Sequence, residues 1–357
     1  MRGLRAFLRP KYIIRLRVVA VVTLACAAIG ATIGLTHGYH ATGIVLSGLT
    51  VAVTGLAITV TEIALQNRVP ALQRMPLTSA VAIRGVIYVA IIVLVDRLFA
   101  AASDEGLSAH FDLTSALMWA VAFNFVFILR RQFGARTLLA LITGRYRHPR
   151  AEEHAVLFMD LEGSTGLTER LGDLKFHALL NTVFFDVSDP VLDADGEIYR
   201  YIGDEVIVTW PHRALMRDQA RRDACFECFY DIDTVLKRRG DYYRQHFGVE
   251  PRFRGALHFG RLIVGEMGQF KREIVMLGDV MNTTSRMEGV CRTENTRYVV
   301  SEPAFNVLRP TNPARWNLRD LGARALRGKI EPVRIFAVDE PGRNSVLLQA
   351  VTAPSRS

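Results

Sequence analysis

Hydrophobic positions divide the chain into two parts of different character. Four long apolar runs occupy the first third, at residues 18–36, 41–65, 80–100 and 113–129. Each run is close to the roughly 20 residues that cross about 30 Å of hydrocarbon as a helix. Further along, short apolar segments are separated by glycine, charged and turn residues, as in a soluble domain. The pattern predicts a four-helix transmembrane domain at 18–130 and a second domain at 151–340.

Three shorter segments flank these two domains. Residues 1–17 form a basic N-terminal arm, and residues 341–357 form a C-terminal tail that we expect to be disordered. Residues 131–150 are basic and compatible with a helix, on which Leu138, Leu139, Leu141 and Ile142 can face a partner. We expect this segment to continue the fourth helix as a coupling helix. A helix lying on anionic lipid is the alternative that the sequence leaves open.

The formal net charge of +9 lies largely beside the apolar runs. Basic residues precede the first run, separate the second from the third and follow the fourth: Arg2, Arg5, Arg9, Lys11, Arg15, Arg17, Arg68, Arg74, Arg130, Arg131 and Arg136. The loop 101–112 contains Asp104 and Glu105 but no lysine or arginine. The positive-inside rule therefore predicts a multi-pass protein of a bacterial inner membrane, with both termini and the second domain cytoplasmic. A lipid bilayer as partner explains the positive charge beside the apolar runs. Because the sequence also has no nucleic-acid-binding motif, we expect no nucleic-acid partner.

Two charged residues, Arg84 and Asp96, lie inside the third apolar run. Charges within a membrane are candidates for function, and they usually face a partner or a cavity. Each of these two is also close enough to an end of the run to reach the membrane surface with its polar group. We interpret both as side chains that extend to the interface, with a functional role as the alternative.

The first chemical motif of the second domain is a strand that ends in a carboxylate. Residues 155–160 (AVLFMD) are apolar up to Asp160. The next five residues lead directly into a helix-compatible segment; they are Leu161, Glu162, Gly163, Ser164 and Thr165. A strand end, small residues and a helix start offer backbone N–H groups to phosphate, beside an acid that can hold a metal ion. We predict that residues 161–165 bind substrate there.

The second motif is a predicted hairpin with an acid at its turn. Residues 197–210 alternate as two strands, with Gly203 and Asp204 between them. Aspartates on adjacent strands can hold two Mg²⁺ ions roughly 3.5 to 4 Å apart, one activating a ribose hydroxyl and one neutralising a triphosphate. Asp160 and Asp204 are therefore the predicted metal ligands.

The third motif is a turn that leads into a helix within residues 277–287. Asn282 and Arg286 are four positions apart, which puts both side chains on one helix face. Asn can orient a ribose, and Arg can stabilise the charge that grows on a transferred phosphorus. Alternatively, Asn282 caps its helix and Arg286 forms a surface ion pair.

In this order, the three motifs resemble the catalytic domain of class III adenylate and guanylate cyclases, over residues 152–338. The resemblance implies an α+β, ferredoxin-like sheet with helices on one face. It also implies that the two aspartates bind two Mg²⁺ or Mn²⁺ ions, and that Asn282 and Arg286 act on the transition state. Lys329 stands where a family lysine contacts phosphates. Family active sites form between two domains packed head to tail, so a single-domain chain is expected to work as a homodimer.

The implied reaction converts ATP to 3',5'-cyclic AMP and pyrophosphate through attack of the ribose 3'-hydroxyl. Family adenylate cyclases select the base with a lysine and an aspartate or threonine, and the corresponding positions here are Arg200 and Val275. Arg200 keeps a donor for adenine N1, whereas Val275 can only pack. Neither accepts a hydrogen bond, and each unmet N–H donor of guanine would cost roughly 1 to 3 kcal/mol. The sequence therefore favours ATP over GTP by exclusion.

Three other functions are alternatives to an adenylate cyclase. A guanylate cyclase differs only in base selection. The residues 202–206 (IGDEV) are similar to the Gly-Gly-Asp-Glu-Phe turn of diguanylate cyclases, but they lack its first glycine and final phenylalanine. An inert membrane receptor module that binds nucleotide is disfavoured because Asp160, Asp204, Asn282 and Arg286 are all retained.

Overall fold

A computed structural model describes residues 10–36, 38, 40–68, 75–102, 113–311, 313 and 316–339. The start of the basic arm, the acidic loop with Asp104 and Glu105, Arg74, and the tail 341–357 lie outside these residues. The chain forms two compact units and passes from one to the other between Gly144 and Arg145. This division falls within the predicted coupling segment.

All four predicted apolar runs form helices in the first unit. They are α1 (Pro10–Thr36), α2 (Ala41–Arg68), α3 (Leu77–Ala102) and α4 (Leu113–Phe133). By length and composition, α1, α2 and α3 can each cross a membrane. The apolar part of α4 that the structure describes, Leu117–Arg130, is shorter. The structure thus supports three candidate spans and a fourth apolar helix.

A buried ion pair joins α2 to α3. Arg84 Nη2 lies 3.4 Å from Glu62 Oε1, and the two side chains are only 3% and 2% exposed. The Tyr88 hydroxyl donates a hydrogen bond of 2.7 Å to the other oxygen of Glu62. Asp96 is also buried within the helices. The prediction that Arg84 and Asp96 extend to the membrane surface is therefore wrong, because neighbouring helices cover both and Glu62 neutralises Arg84.

The fourth helix does not continue into the coupling segment as predicted. Gly134 has a φ of 77°, a backbone conformation that ends α4 and separates it from α5 (Ala135–Thr143). Gly144, with a φ of 63°, ends α5 in turn. Of the four leucine and isoleucine side chains predicted to face a partner, Leu139 and Ile142 are exposed and Leu138 and Leu141 are half-buried. That this face binds a partner stays a prediction.

The second unit is a mixed eight-stranded sheet with seven helices among its described residues. Its strands are β1 (Arg150–Leu161), β2 (Glu197–Ile202), β3 (Glu205–Pro211), β4 (Phe253–Met267), β5 (Glu273–Leu277), β6 (Tyr298–Ser301), β7 (Asn317–Arg324) and β8 (Val333–Asp339). Its helices are α6 (Ser164–Leu171), α7 (Asp173–Asp193), α8 (His212–Leu215), α9 (Gln219–Arg238), α10 (Gly240–Phe247), α11 (Asp279–Thr293) and α12 (Glu302–Leu308). The strand order is β2-β3-β1-β4-β6-β8-β7, and β5 pairs with β4.

Helices cover both faces of this sheet. Side chains alternate along a strand, so Leu157 packs with α7, α9 and α12 in the main core, whereas Val156 faces the other way. That second face is covered by α11 through Val280 and Met287. The expectation that all helices lie on one face of the sheet is therefore wrong. The helix that carries Asn282 and Arg286, α11, packs its apolar side on the opposite face.

Candidate active site

Two aspartates lie together where β1 ends and the β2–β3 hairpin turns. Asp160 is the second-last residue of β1, and Asp204 stands in the turn with Gly203, whose φ is 61°. Because β1 pairs antiparallel with β3, the Met159–Val206 pair brings this turn to the end of β1. The predicted hairpin is confirmed, and it places the two carboxylates in contact.

The electrostatics of this pair are those of two like charges in a half-buried site. Burial, and after it the Asp204 carboxylate, raises the pKa of Asp160. Arg292 opposes this effect, since its Nη2 donates to Asp160 Oδ2 over 2.9 Å. Asp204 Oδ2 is buried and has no hydrogen-bond partner. A divalent cation would satisfy that oxygen and relieve the repulsion, so the residues fit the predicted metal site.

Two glutamates that sequence reasoning missed complete an acidic cluster. Burial, and then the charges of Asp160, Glu288 and Asp204, raises the pKa of Glu205 to about 7. Burial also raises the pKa of Glu288, on α11. Among the described residues, no three acidic, histidine or cysteine side chains form a complete metal-ligand set. Further ligands would therefore have to come from substrate oxygens or water.

The predicted phosphate loop, residues 161–165, is only partly available to a ligand. Leu161 is buried in the main core, so only its backbone faces the loop. The Glu162 N–H donates to the Arg252 carbonyl over 2.8 Å, and the Glu162 carboxylate lies 3.3 Å from Arg254 Nε. These contacts hold the Glu162 N–H and one of its carboxylate oxygens within the chain, and a contact of Glu162 with substrate stays a prediction.

The remaining part of this loop keeps the predicted geometry. Gly163 has a φ of 70° and precedes α6, whose first residues are Ser164 and Thr165. No side chain caps this helix start. The first N–H groups of α6 therefore have no side-chain acceptor, and an anion site at a helix start requires such N–H groups.

Asn282 and Arg286 both lie on α11. Neither side chain makes a hydrogen bond or ion pair with any residue that the structure describes. A side chain at Gly328 would come within 3.4 Å of the Arg286 guanidinium, so Arg286 lies beside the segment that carries Lys329. The alternatives of a helix cap and a surface ion pair are not observed.

Lys329 is held next to this face of α11. Its Nζ donates to Asp279 Oδ2 over 2.9 Å and to Thr283 Oγ1 over 3.1 Å. The Lys329 side chain is 20% exposed and its partner Asp279 is 64% exposed, so this ion pair lies at the surface of the domain. Beneath them, burial and then the Lys329 charge lower the pKa of His258 to about 4.

At the predicted base-selecting positions, the structure adds an acceptor that the sequence did not reveal. Val275 pairs with Gly265 on the β4–β5 hairpin, as its apolar side chain permits. Arg200 Nη2 lies 2.7 Å from Glu273 Oε2, two residues before Val275 on β5. Arg200 and Val275 themselves accept no hydrogen bond, as predicted from their chemistry, but the prediction did not consider the neighbouring Glu273 carboxylate. Glu273 was missed because its contact with Arg200 joins two strands, β5 and β2, that are not neighbours in the sheet.

The family model for the adenylate and guanylate cyclase catalytic domain matches residues 146–339, more than half of the chain. The chain belongs to this family. Its aspartate pair, the Asn282–Arg286 face and Lys329 all lie within the matched region.

Named cyclases are among the relatives of this cyclase domain. Adenylate cyclase 2 of Rhizobium meliloti (strain 1021) is 37% identical over 214 residues, 60% of this chain and 57% of the relative. The adenylate cyclase of Anabaena cylindrica is 23% identical over 51% of this chain and 36% of its own length. The chain thus spans 57% of the length of the first relative and 36% of the length of the second.

A solved structure shows the same cyclase fold. A bacterial light-regulated adenylyl cyclase superposes with a TM-score of 0.53 at 21% identity, with 67% of each chain covered. At this identity, the likeness concerns the fold alone. It agrees with a domain built of a mixed sheet and helices.

Proposed function

We propose that this protein is a membrane-anchored adenylate cyclase that converts ATP to 3',5'-cyclic AMP and pyrophosphate. The observation that carries the proposal is the contact of Asp160 with Asp204, in which one buried carboxylate oxygen has no partner. A bound cation would stabilise two carboxylates in contact. The reaction in which that cation would take part is inferred from the family to which the chain belongs. The names of the two relatives favour ATP as the substrate.

Each polar group of the site has a task in this reaction. The 3'-hydroxyl loses its proton to water and its oxygen attacks the α-phosphorus, the bond from the α-phosphorus to the oxygen that bridges to the β-phosphate breaks, and pyrophosphate leaves. Asp160 and Asp204 would hold two Mg²⁺ or Mn²⁺ ions, which lower the pKa of the hydroxyl and neutralise the phosphates when bound. Asn282 orients the ribose, Arg286 stabilises the charge on the phosphorus, and Lys329 and the start of α6 bind the leaving phosphates.

The active site is shared by two copies of the chain. Asn282 and Arg286 contact neither Asp160 nor Asp204 among the described residues of one protomer. On the same helix, Arg292 does reach Asp160. A head-to-tail homodimer brings Asn282 and Arg286 of one copy to the aspartates of the other and yields two equivalent sites. Anchoring in one membrane raises the effective concentration of the two copies.

The membrane part is a four-span anchor with both termini and the cyclase domain in the cytoplasm. Helices α1 to α3 are long and apolar enough for three of the spans, and the shorter apolar helix α4 is proposed as the fourth. An even number of spans keeps the basic arm and the catalytic domain on one side, where ATP is found. A reporter fused after Arg150 should behave as cytoplasmic, and its export would contradict this orientation.

The test of the proposed reaction is product identification with the full-length protein in membranes. With ATP and Mg²⁺ or Mn²⁺, we expect 3',5'-cyclic AMP and pyrophosphate in equal amounts, and chelation by EDTA should abolish both. Cyclic GMP formed from GTP at a higher kcat/KM would identify a guanylate cyclase. No turnover of either nucleotide by a folded protein that binds them would identify the inert receptor module.

A further inference from the structure

A closed ring of hydrogen bonds holds the Lys329 ammonium group against α11. Its Nζ donates to Asp279 Oδ2 over 2.9 Å and to Thr283 Oγ1 over 3.1 Å. The Thr283 hydroxyl in turn donates to Asp279 Oδ2 over 3.2 Å. Because this buried hydroxyl accepts one bond and donates another, its orientation is set by the two charged groups. Each member of the ring thereby holds the other two in place.

The turn that carries Lys329 does not orient this side chain by itself. Leu326, at the start of the turn, belongs to the core under α11, but Ile330, the residue after Lys329, is fully exposed. The Lys329 N–H donates to the Leu326 carbonyl over 3.0 Å, which shapes the backbone of the turn. The long lysine side chain remains flexible under that constraint. Its contacts with Asp279 and Thr283 give it one orientation.

One N–H of the ammonium group remains available to a ligand. A lysine has three donors at Nζ, and the ring uses two of them. Lys329 has no further acceptor among the residues that the structure describes. Its side chain is 20% exposed, so the group is partly open to solvent. The arrangement is that of an ammonium group fixed in position with a donor left over.

The ring lies on the side of α11 that carries Arg286. Asp279, Thr283 and Arg286 follow one another at spacings of four and three positions, which align side chains along one helix face. A Cβ at Gly328 would stand 3.4 Å from the Arg286 guanidinium, and Lys329 is the next residue. The copy that supplies Arg286 to the proposed shared site therefore also supplies the fixed ammonium group beside it.

The negative charge in the ring leaves the ammonium group attractive to an anion. The hydrogen bond from Lys329 lowers the pKa of the Asp279 carboxyl, which is therefore ionised at neutral pH. The Asp279 side chain is 64% exposed, so water screens its charge from groups outside the ring. Its direct contact with Lys329 is not screened in this way. Asp279 thus orients the ammonium group more than it repels a nearby phosphate.

We propose that Asp279 and Thr283 are positioning residues, which hold the Lys329 ammonium group in the orientation that binds the phosphates of the nucleotide. This inference rests on the proposed function, which gives Lys329 that contact. A flexible lysine loses side-chain motion when it binds an anion, and this loss weakens the binding. In the ring the motion is already lost on folding, so the contact with phosphate is stronger.

Two probes separate the phosphates from the rest of the nucleotide. Inorganic tripolyphosphate and adenosine each displace a fluorescent ATP analogue from the full-length protein in detergent with Mg²⁺. Thr283→Val removes the hydroxyl but keeps the shape of the side chain. We expect the affinity for tripolyphosphate to fall about fivefold, because Asp279 alone then holds the ammonium group, and that for adenosine to change less than about twofold. Thr283→Ser, which retains the hydroxyl, should restore the wild-type affinity.

Thr284→Val is the matched control. Thr284 is the next residue on α11, is equally buried, and donates its hydroxyl to the Val280 carbonyl of the same helix over 2.6 Å. The same substitution there should leave both affinities at the wild-type values. A loss of tripolyphosphate affinity as large as that in Thr283→Val would show a general effect of α11 and would overturn the assignment.

A double-mutant cycle with Lys329→Met shows whether Thr283 acts through the ammonium group. Lys329→Met by itself should weaken tripolyphosphate binding about tenfold, and Thr283→Val should then change nothing further. An equal loss from Thr283→Val with and without Lys329 would make Thr283 a structural residue and contradict the proposal. Unchanged tripolyphosphate affinity in Lys329→Met would contradict it as well.

Asp279→Ala tests the direction of the carboxylate's effect. As a positioning residue Asp279 strengthens phosphate binding, so its removal should weaken the binding of tripolyphosphate. Tighter binding would show that Asp279 withholds Lys329 from phosphates and would overturn the proposal. These affinities need no turnover. If the wild type forms no cyclic nucleotide, the proposed function fails, and the double-mutant cycle still decides the roles of Asp279 and Thr283.

Discussion

Arg292 and Asp160, 132 positions apart in the chain, form a hydrogen-bonded ion pair of 2.9 Å at the centre of the acidic cluster. The arginine side chain is 61% exposed, so it can leave this contact without an opening of the core. Its positive charge acts on the same carboxylate that the proposed metal ion would bind. Arg292 is therefore expected to compete with divalent cations for Asp160.

Replacement of Arg292 tests this competition. Arg292→Ala should lower the Mg²⁺ concentration for half-maximal activity several-fold, since loss of a partly exposed ion pair is worth about 1 kcal/mol. The measurement is a Mg²⁺ titration at saturating ATP, with Arg244→Ala as a control on an exposed ion pair elsewhere. A higher KM for ATP with an unchanged Mg²⁺ requirement would instead make Arg292 a phosphate contact.

The two aspartates should be individually indispensable for turnover. Asp160→Asn and Asp204→Asn keep the side-chain shape but remove a charged metal ligand, which costs several kcal/mol in the transition state. We expect kcat to fall by at least about a hundredfold in each, with membrane insertion and dimerisation retained. Activity within a few-fold of wild type in either variant would remove the metal assignment.

The Glu62–Arg84 pair should be a stability element of the membrane unit. Glu62→Gln leaves the buried Arg84 charge without a counter-charge, which costs about 3 to 5 kcal/mol. Glu62→Leu combined with Arg84→Met removes both charges and should cost less. Thermal unfolding of the purified protein in detergent compares them, and a double variant less stable than Glu62→Gln would contradict this account.

His258 should make the cyclase domain sensitive to acid. Its pKa lies near 4 in the folded protein, below the usual 6.5, because burial and Lys329 disfavour the charged ring. The unfolded chain therefore binds more protons between those values, and the stability from this residue is lost as pH falls from about 6.5 to 4. The full effect is on the order of 3 kcal/mol.

His258→Gln tests this pH dependence, because it keeps a polar partner for Ser301 but cannot titrate. Between pH 7.5 and pH 5, the unfolding temperature of the variant should fall less than that of wild type. The comparison of both proteins cancels the contribution of carboxylates elsewhere. Parallel pH profiles would show that His258 does not carry the effect.

The sequence predicts the parts of the site that local patterns encode. The apolar strand before Asp160 and the Gly203–Asp204 turn were readable because each is a short segment with its own periodicity or turn chemistry. Asn282 and Arg286 share a helix face for the same local reason. The family resemblance then indicates which of these segments meet.

The missed residues depend on contacts between distant segments. Glu288 and Arg292 look like a solvated helix face in the sequence, and only the packing of α11 beside the end of β1 brings them to Asp160. Glu273 and Arg200 are 73 positions apart and lie on strands that do not pair in the sheet. Glu62, in a largely apolar run, gave no sign of its partner Arg84 on another helix. The periodicity of a short segment does not indicate contacts between residues that are far apart in the sequence.

Complementation of two inactive variants tests the central claim most directly, namely that an active site combines Asp160 of one copy with Arg286 of the other. Asp160→Ala and Arg286→Ala should each be nearly inactive when expressed alone. Co-expressed in one membrane, they form about half heterodimers by random pairing, each with one intact site instead of two, so activity should recover to about a quarter of wild type. Activity that stays at the level of the single variants, with both proteins present and paired, would contradict the shared-site dimer.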